Sequence, residues 1–369
     1  MEEFKRCTKC VMDNKADATI TFDENGVCNY FNEALAKIGK TYFPNEEGER
    51  RLNAMIAKIK EEGRGKEYDC LMGISGGLDS SYLAYLGAVK WGLRILAVHI
   101  DDGFDTELAK QNIKNLCKTC GIDIKTIAPD AEQFNDLTRA YFLAEVPNVA
   151  VPQDNILFAC LFDYAKQYKI KNFLSGGNFA LECILQRGNT YTAYDVVNIK
   201  SIHKQFGRKP IDKLPLLSQT QKDLDAYIYK IKTLRPLNCI DYNRERAIKE
   251  LNDFCGFTYY EAKHLENILT SVIQRYWFYH KFDVDKRKSH LSSMIVSGQM
   301  TRDEALAELE KPMYDKVKMD KDIDLVLKTI DLDRETFDNL VSRPGKQHNE
   351  YDTDKINPLL HKLKRIFWR

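Results

Sequence analysis

Cys70-Leu-Met-Gly-Ile74 is a short apolar run that stops at Ser75-Gly76-Gly77-Leu78-Asp79-Ser80. Two adjacent glycines after such a run let the backbone turn its N–H groups toward one concavity, which makes an anion nest. The residues beyond carry Leu83, Leu86 and Val89 on one stripe, so the turn opens a helix. That helix presents its unpaired N–H groups and positive end to the same concavity. Ser75 and Ser80 add hydroxyl donors, and Asp79, in the first turn, is placed to hold Mg²⁺ against bound phosphates. The plain alternative is a tight strand-to-helix turn capped by Asp79. The apolar strand before it and the amphipathic helix after it favour the nest.

Outward from this turn the pattern recurs. Ile95-Leu-Ala-Val-His-Ile100 is a second strand, stopped by Asp101-Asp102-Gly103, and the next helix has Ile113, Leu116, Cys117 and Cys120 on one face. A third strand is expected over Asp123 to Ile127, helices near 131–144 and 154–168, and a fourth strand over Asn172-Phe-Leu174. This last strand ends at Ser175-Gly176-Gly177-Asn178, a second Gly-rich turn on the same sheet edge. Asn178 can contact a nucleotide there, with Glu182 on its helical face; a simple left-handed turn is the alternative. Leu234-Arg-Pro-Leu237 is read as a last strand, from which Arg235 can reach a phosphate. The order β-α-β-α-β-α-α-β predicts an α/β, Rossmann-like domain with a parallel sheet, and ligands bind at the carboxyl ends of such strands.

Four regions follow: a Cys-rich, zinc-ribbon-like segment 1–31, a helical connector 32–66, the nucleotide domain 67–240, and a helical C-terminal region 241–369 for substrate or partner binding. Lys+Arg 55 against Asp+Glu 54 leaves a net charge of +1, which removes the electrostatic footprint of a dedicated nucleic-acid binder. No apolar stretch is long enough to cross a membrane, and the start lacks a secretory signal, so the expected compartment is cytoplasmic. The basic, amphipathic end, Asn357 to Arg369, suits packing on the body or a partner better than a peripheral membrane helix.

Ten cysteines in such a chain do not read as a disulfide framework. Cys7-Thr-Lys-Cys10 with Cys28 is half of a zinc ribbon plus one ligand; Phe31 stands where the fourth thiolate is expected. Cys117, Cys120, Cys160 and Cys183 read as core residues, and His99 as a satisfied strand histidine.

The Ser75–Ser80 segment resembles the S-G-G-x-D-S signature of the PP-loop ATP pyrophosphatases, an adenine nucleotide alpha hydrolase-like superfamily, and not the Walker A spacing. The resemblance implies ATP and Mg²⁺, adenylation of a substrate oxygen, and pyrophosphate leaving in the nest. Superfamily members contact adenosine or metal just after the second strand, which points to Asp101, Asp102 and Asp105; helix-capping acids are the alternative. On both sides of this core the chain resembles the N-acetyl sugar amidotransferases of bacterial surface-polysaccharide, O-antigen and nonulosonic acid synthesis. The motifs are Cys7-Thr-Lys-Cys-Val-Met-Asp13 with Phe22 to Tyr30, and Lys263-His-Leu-Glu266 through Gln274-Arg275-Tyr276 and Asp285-Lys286-Arg287-Lys288-Ser-His290 to Ala305. Phe31 and the stretch after Glu182 depart from that pattern.

This likeness implies an AMP-forming enzyme that turns the acetamido group of an N-acetyl sugar, or sugar nucleotide, into an acetamidino group. Lys263, His264, Arg275, Lys286, Arg287 and His290 are its candidate substrate ligands, a solvated helical surface being the alternative. The chain shows no glutaminase nucleophile, since Met1 is followed by Glu2 and no Cys lies in a G-x-C-x-G elbow. Ammonia is expected free or from a separate glutaminase subunit through a barrel-type partner. Two other readings compete: a tRNA-modifying sulfurtransferase using Cys117, Cys120 and Cys183, and a non-catalytic nucleotide-sensing subunit.

Overall fold

A computed structural model describes residues 3–260 and 265–355. Strands β1 (Cys70–Gly73), β2 (Ile95–Ile100), β3 (Asp123–Ile127), β4 (Asn172–Leu174) and β5 (Lys232–Leu234) form one sheet in the order β3-β2-β1-β4-β5. Every pairing is parallel. The chain steps outward from β1 on one side and resumes at β4 on the other, so the crevice of this open sheet lies between the carboxyl ends of β1 and β4. Both Ser-Gly-Gly turns sit there.

Two helices, the short α1 (Asn29–Leu35) and the 17-residue α2 (Glu46–Glu62), precede the sheet. Helices α3 (Leu78–Tyr85) and α4 (Glu107–Cys120) cover one face; α5 (Ala131–Leu143) follows, and α6 (Val151–Gln167) covers the other. The period of two along a strand sorts the contacts. Cys70 and Met72 pack with Leu83, Ile113 and Leu116, whereas Leu71, Leu96 and Val98 pack with Leu161 and Phe162. Helix α4 buries the Ile113, Leu116 and Cys117 stripe expected of it and ends on Gly121 at φ +64°. Beyond β4 come α7 (Phe179–Glu182), α8 (Val196–Phe206) and α9 (Gln219–Tyr229).

One strand differs from expectation. It runs over Lys232–Leu234, not Leu234–Leu237, because Pro236 has no N–H for a ladder and begins a 3₁₀ turn instead. Arg235 nevertheless lies at the sheet's end, with its Nε 3.9 Å from where a Cβ on Gly177 would be.

The C-terminal region supplies α10 (Arg244–Cys255), α11 (Ile268–Val272), α12 (Phe278–Phe282), α13 (Arg287–Val296), α14 (Arg302–Glu310), α15 (Lys316–Thr329) and α16 (Arg334–Ser342). Trp277, fully buried, anchors it to the nucleotide domain: its indole N–H donates to Val146 O at 2.9 Å and its ring packs on Phe142 and Phe337. The Cys-rich segment is clamped onto α13 and α14. Val11 N–H donates to Ser292 Oγ at 3.2 Å, Lys288 pairs with Asp13 at 2.7 Å, and the Arg302 guanidinium donates to Cys7 O and Cys10 O at 3.1 Å. Among the described residues no helix is long and apolar enough to cross a membrane.

Candidate active site

The two glycine turns are built alike. In each, the first serine's Oγ accepts the N–H of the second glycine at 3.2 Å: Ser75 from Gly77, and Ser175 from Gly177. Gly76 has φ +78°, and a Cβ there would lie 2.8 Å from Ala109 O, so only glycine lets the loop lie against α4. The second turn packs on the start of α3, where a Cβ on Gly176 would come within 3.2 Å of Asp79 C and Ser80 N. The turns thus enclose a cavity of about 200 Å³ lined by Ser75, Gly77, Asp79, Ser80, Gly176, Gly177, Glu182 and His290. Ser175 and Asn178 act behind its wall; Asn178 caps α7 by accepting Leu181 N–H at 2.9 Å and donating to Gly176 O at 3.2 Å.

Asp79 occupies the first turn of α3, where Tyr242 O–H donates to its Oδ1 at 2.6 Å. Burial and the nearby carboxylate push the Tyr242 phenol well above its ordinary pKa, so it remains a donor. Nothing in the sequence pairs these two, which are 163 positions apart. The C-terminal region contributes three more groups to the cavity: Tyr259, Tyr260 and Glu266. Tyr260 O–H donates to Gly76 O at 3.1 Å, and Ser75 Oγ donates to Glu266 Oε1 at 3.4 Å. In the sequence Glu266 is one residue of the Lys263-His-Leu-Glu266 motif, and nothing there marks it for this cavity.

A buried network delivers Glu266. Thr106 N–H donates to Glu266 O at 2.9 Å, and Ile268 N–H donates to Phe104 O at 2.8 Å. Asn267 Nδ2 donates to both Asp102 Oδ1 at 3.0 Å and Asp105 Oδ1 at 3.2 Å. Asp102 and Asp105 therefore tie the loop after β2 to the C-terminal region, and neither lines the cavity. Desolvation raises Asp102 to about 6 despite the Phe104 N–H it accepts. Asp101 accepts Gly103 N–H at 3.1 Å and faces a separate cavity beside α4. His99 is the buried strand histidine expected: Nδ1 meets Ile74 O and Nε2 meets Asp105 Oδ2, both at 2.9 Å. Burial opposes its charge, yet Asp105 holds its pKa above the ordinary value.

A second cavity, of about 490 Å³, adjoins the first and shares Leu181, Glu182, Tyr259 and His290 with it. Arg275, Lys286 and Arg287 line it. Arg287 is largely a clamp: it pairs with Asp285 at 2.8 Å and donates to Leu309 O and Lys311 O at the end of α14. Arg275 donates to Met313 O at 2.6 Å, and His290 Nδ1 meets Leu181 O at 3.2 Å. Lys263 and His264 lie outside the described residues, as does the segment 357–369.

Cys7, Cys10 and Cys28 are fully buried, with their sulfur atoms within 4.8 Å of one another. Cys7 Sγ accepts N–H groups from Lys9, Cys10 and Cys28 at 3.2–3.4 Å, and Cys28 Sγ accepts from Phe31. Thiol donors on Cys10 and Cys28, with these amides, hold Cys7 well below the usual thiol range. A preformed cup of three sulfurs with amide donors suits a thiophilic ion, with the fourth position open. Phe31 sends only its backbone N–H there. By contrast burial pushes Cys117 and Cys183 to about 11 and Cys120 to about 12, so they are thiols rather than thiolates.

Fold and site define the class: a parallel α/β protein in which the cavity between two Ser-Gly-Gly turns is completed by its own C-terminal region. Residues 257–365 match the family model described as "LPS biosynthesis protein WbpG-like, C-terminal domain". The match, confined to the C-terminal region, agrees with the surface-polysaccharide proteins that the chain's motifs resemble. It is 22% identical over 319 residues to an uncharacterized protein of Methanocaldococcus jannaschii, covering 84% of this chain and 95% of that one. It is 33% identical over 96 residues to a glutamine-hydrolyzing GMP synthase of Pyrobaculum aerophilum, 26% of this chain but only 17% of the relative. An NH3-dependent NAD synthetase from Campylobacter jejuni aligns over 56% of this chain and 93% of its own, at 16% identity and a TM-score of 0.30.

Proposed function

We propose that this protein is an ATP-dependent, AMP-forming amidotransferase that converts the acetamido group of an N-acetylated sugar, carried as a sugar nucleotide, into an acetamidino group. The observation that carries this reading is the continuity of the two cavities. In this reading the nest between the glycine turns takes the leaving pyrophosphate, and the basic cavity, which shares Glu182, Tyr259 and His290 with it, takes the acceptor.

The chemistry balances. The acetamido oxygen attacks the α-phosphorus of ATP, the α–β bridge breaks, and pyrophosphate departs toward the Gly76 and Gly77 amides and the start of α3. The O-adenylyl imidate so formed takes ammonia at carbon and expels AMP through its C–O bond, leaving an acetamidinium that keeps the extra proton. Ser75 and Ser80 orient the phosphates, and Tyr242 fixes the Asp79 carboxylate. Asp79, Glu182 and Glu266 line the nest, and Asp79 at the start of α3 would hold Mg²⁺, which would supply charge neutralisation for the phosphates. Ammonia is supplied by a separate glutaminase subunit through a barrel-type partner. The sulfurtransferase alternative loses support, because Cys117, Cys120 and Cys183 are held as thiols.

Incubation with ATP, Mg²⁺, ammonium and candidate N-acetyl sugars or sugar nucleotides, followed by mass spectrometry, tests the reading. Replacement of one oxygen by NH with release of AMP and pyrophosphate is expected; ADP and orthophosphate as products would overturn it.

The three-sulfur cup is proposed to hold zinc as a structural ion. Metal analysis is expected to find one zinc per chain, absent from Cys28→Ser. Chelation is expected to lower the melting temperature by more than about 5 °C, since ~1 kcal/mol shifts domains of this size by roughly 2–4 °C. A zinc-free protein with unchanged melting would discard the site.

A further inference from the structure

Among the described residues, five basic side chains line the acceptor cavity against the two carboxylates of Glu182 and Glu308. Three of the five are engaged. Arg275 donates to Met313 O, Arg287 pairs with Asp285, and Lys311 pairs with Glu308 at 2.6 Å.

Arg244 and Lys286 differ. Arg244, the first residue of α10, lies 5.0 Å over the Tyr259 ring, and its Nε is buried with no hydrogen-bond partner. The one carboxylate within ion-pair reach of it among the described residues is Glu245, at 3.8 Å and largely exposed. Lys286, just before α13, rests 4.3 Å over the Phe278 ring and makes no ion pair among the described residues. Lys286 is half-buried, and that burial lowers its pKa to about 8. A buried, unpartnered donor such as Arg244 Nε, and a half-buried ammonium with no ion-pair partner among the described residues, are both made more favourable by an anion that meets them.

From this we infer that Arg244 and Lys286 form a binding site for an anionic group carried by the acceptor, either phosphoryl or carboxylate. The inference rests on reading this cavity as the acceptor site. Arg244 offers a planar fork for paired oxygens, and Lys286 a compact charge. The two arrive from separate elements of the C-terminal region, and Tyr259, beneath Arg244, also lines the nucleotide cavity. A bound anion would therefore fix the acceptor next to the nest, so these residues determine specificity and do not take part in bond making.

Calorimetry with excess α,β-methylene-ATP, to keep the nest filled, tests the site with three probes: UDP, N-acetylneuraminate and uncharged N-acetylglucosamine. Wild-type protein is expected to bind one anion at least about tenfold more tightly than the neutral sugar, tenfold being ~1.4 kcal/mol. UDP binding assigns the phosphoryl source, and N-acetylneuraminate binding the carboxylate. Arg244→Gln and Lys286→Met are each expected to lose at least about tenfold, Lys286→Arg to recover most of it, and Lys311→Met, whose charge is already matched, to change affinity less than about twofold. Melting curves report folding of each variant, and the fall of wild-type anion affinity with salt is a readout that needs no variant. Equal binding of anion and neutral sugar, or an equal loss in Lys311→Met, would overturn the site. Because no turnover is measured, pyrophosphate release without anion selectivity sinks this site alone, whereas anion selectivity without acetamidino product sinks the amidotransferase reading alone.

Discussion

Asp79→Asn is expected to slow pyrophosphate release by about 10²- to 10³-fold, the scale on which one preorganised electrostatic contact acts on developing charge. The substitution is nearly isosteric, and the amide oxygen can still accept the 2.6 Å bond from Tyr242, so the fold should survive. What is lost is the negative charge at the head of α3, where a cation must balance the phosphates. Melting temperature close to wild type, together with ATP affinity that no longer depends on Mg²⁺, is the expected pair of readouts. Wild-type rates of pyrophosphate release would remove Asp79 from the mechanism.

Gly76→Ala is expected to abolish measurable nucleotide binding and to lower the melting temperature. Its φ of +78° costs a side-chain-bearing residue roughly 1–2 kcal/mol. The added Cβ would also lie 2.8 Å from Ala109 O and 3.1 Å from Ala109 Cα, backbone atoms that no rotamer change can move. Relief requires the loop to leave α4, which turns the nest amides away. Gly176→Ala provides the contrast: its backbone is ordinary and its new Cβ would meet Asp79 C and Ser80 N at 3.2 Å, so a smaller loss is expected in titrations with a fluorescent ATP analogue. A Gly76→Ala protein that bound nucleotide as well as Gly176→Ala would show that the loop's conformation is not what binds phosphate.

Much of the nucleotide core is local and was therefore legible. Strands β2, β3 and β4 fall where apolar runs meet turn residues, and α4 buries the stripe that its period of 3.6 marks. Ser75–Ser80 and Ser175–Gly177 read as turns because glycine pairs after buried strands have few other uses. The exception, β5, came from giving weight to the apolar ends of Leu234–Leu237 over the missing N–H of Pro236. Arg287 shows a different failure. As part of a basic run it reads as a ligand, yet Asp285 lies two residues away and accepts its guanidinium, while the end of α14 takes the remaining donors.

By itself the sequence determined a parallel α/β core, two glycine turns at the carboxyl ends of its strands, and a three-cysteine segment, because each depends on local motifs and on short-range periodicity. Tertiary structure alone decided that Tyr242 fixes Asp79, that Glu266 reaches Ser75 across 191 positions, and that Arg244 and Lys286 share a cavity while their neighbours are neutralised. The reason is physical: whether a charged side chain is a ligand or a strut depends on which partners and how much water surround it, and those are set by contacts between segments that carry no common pattern.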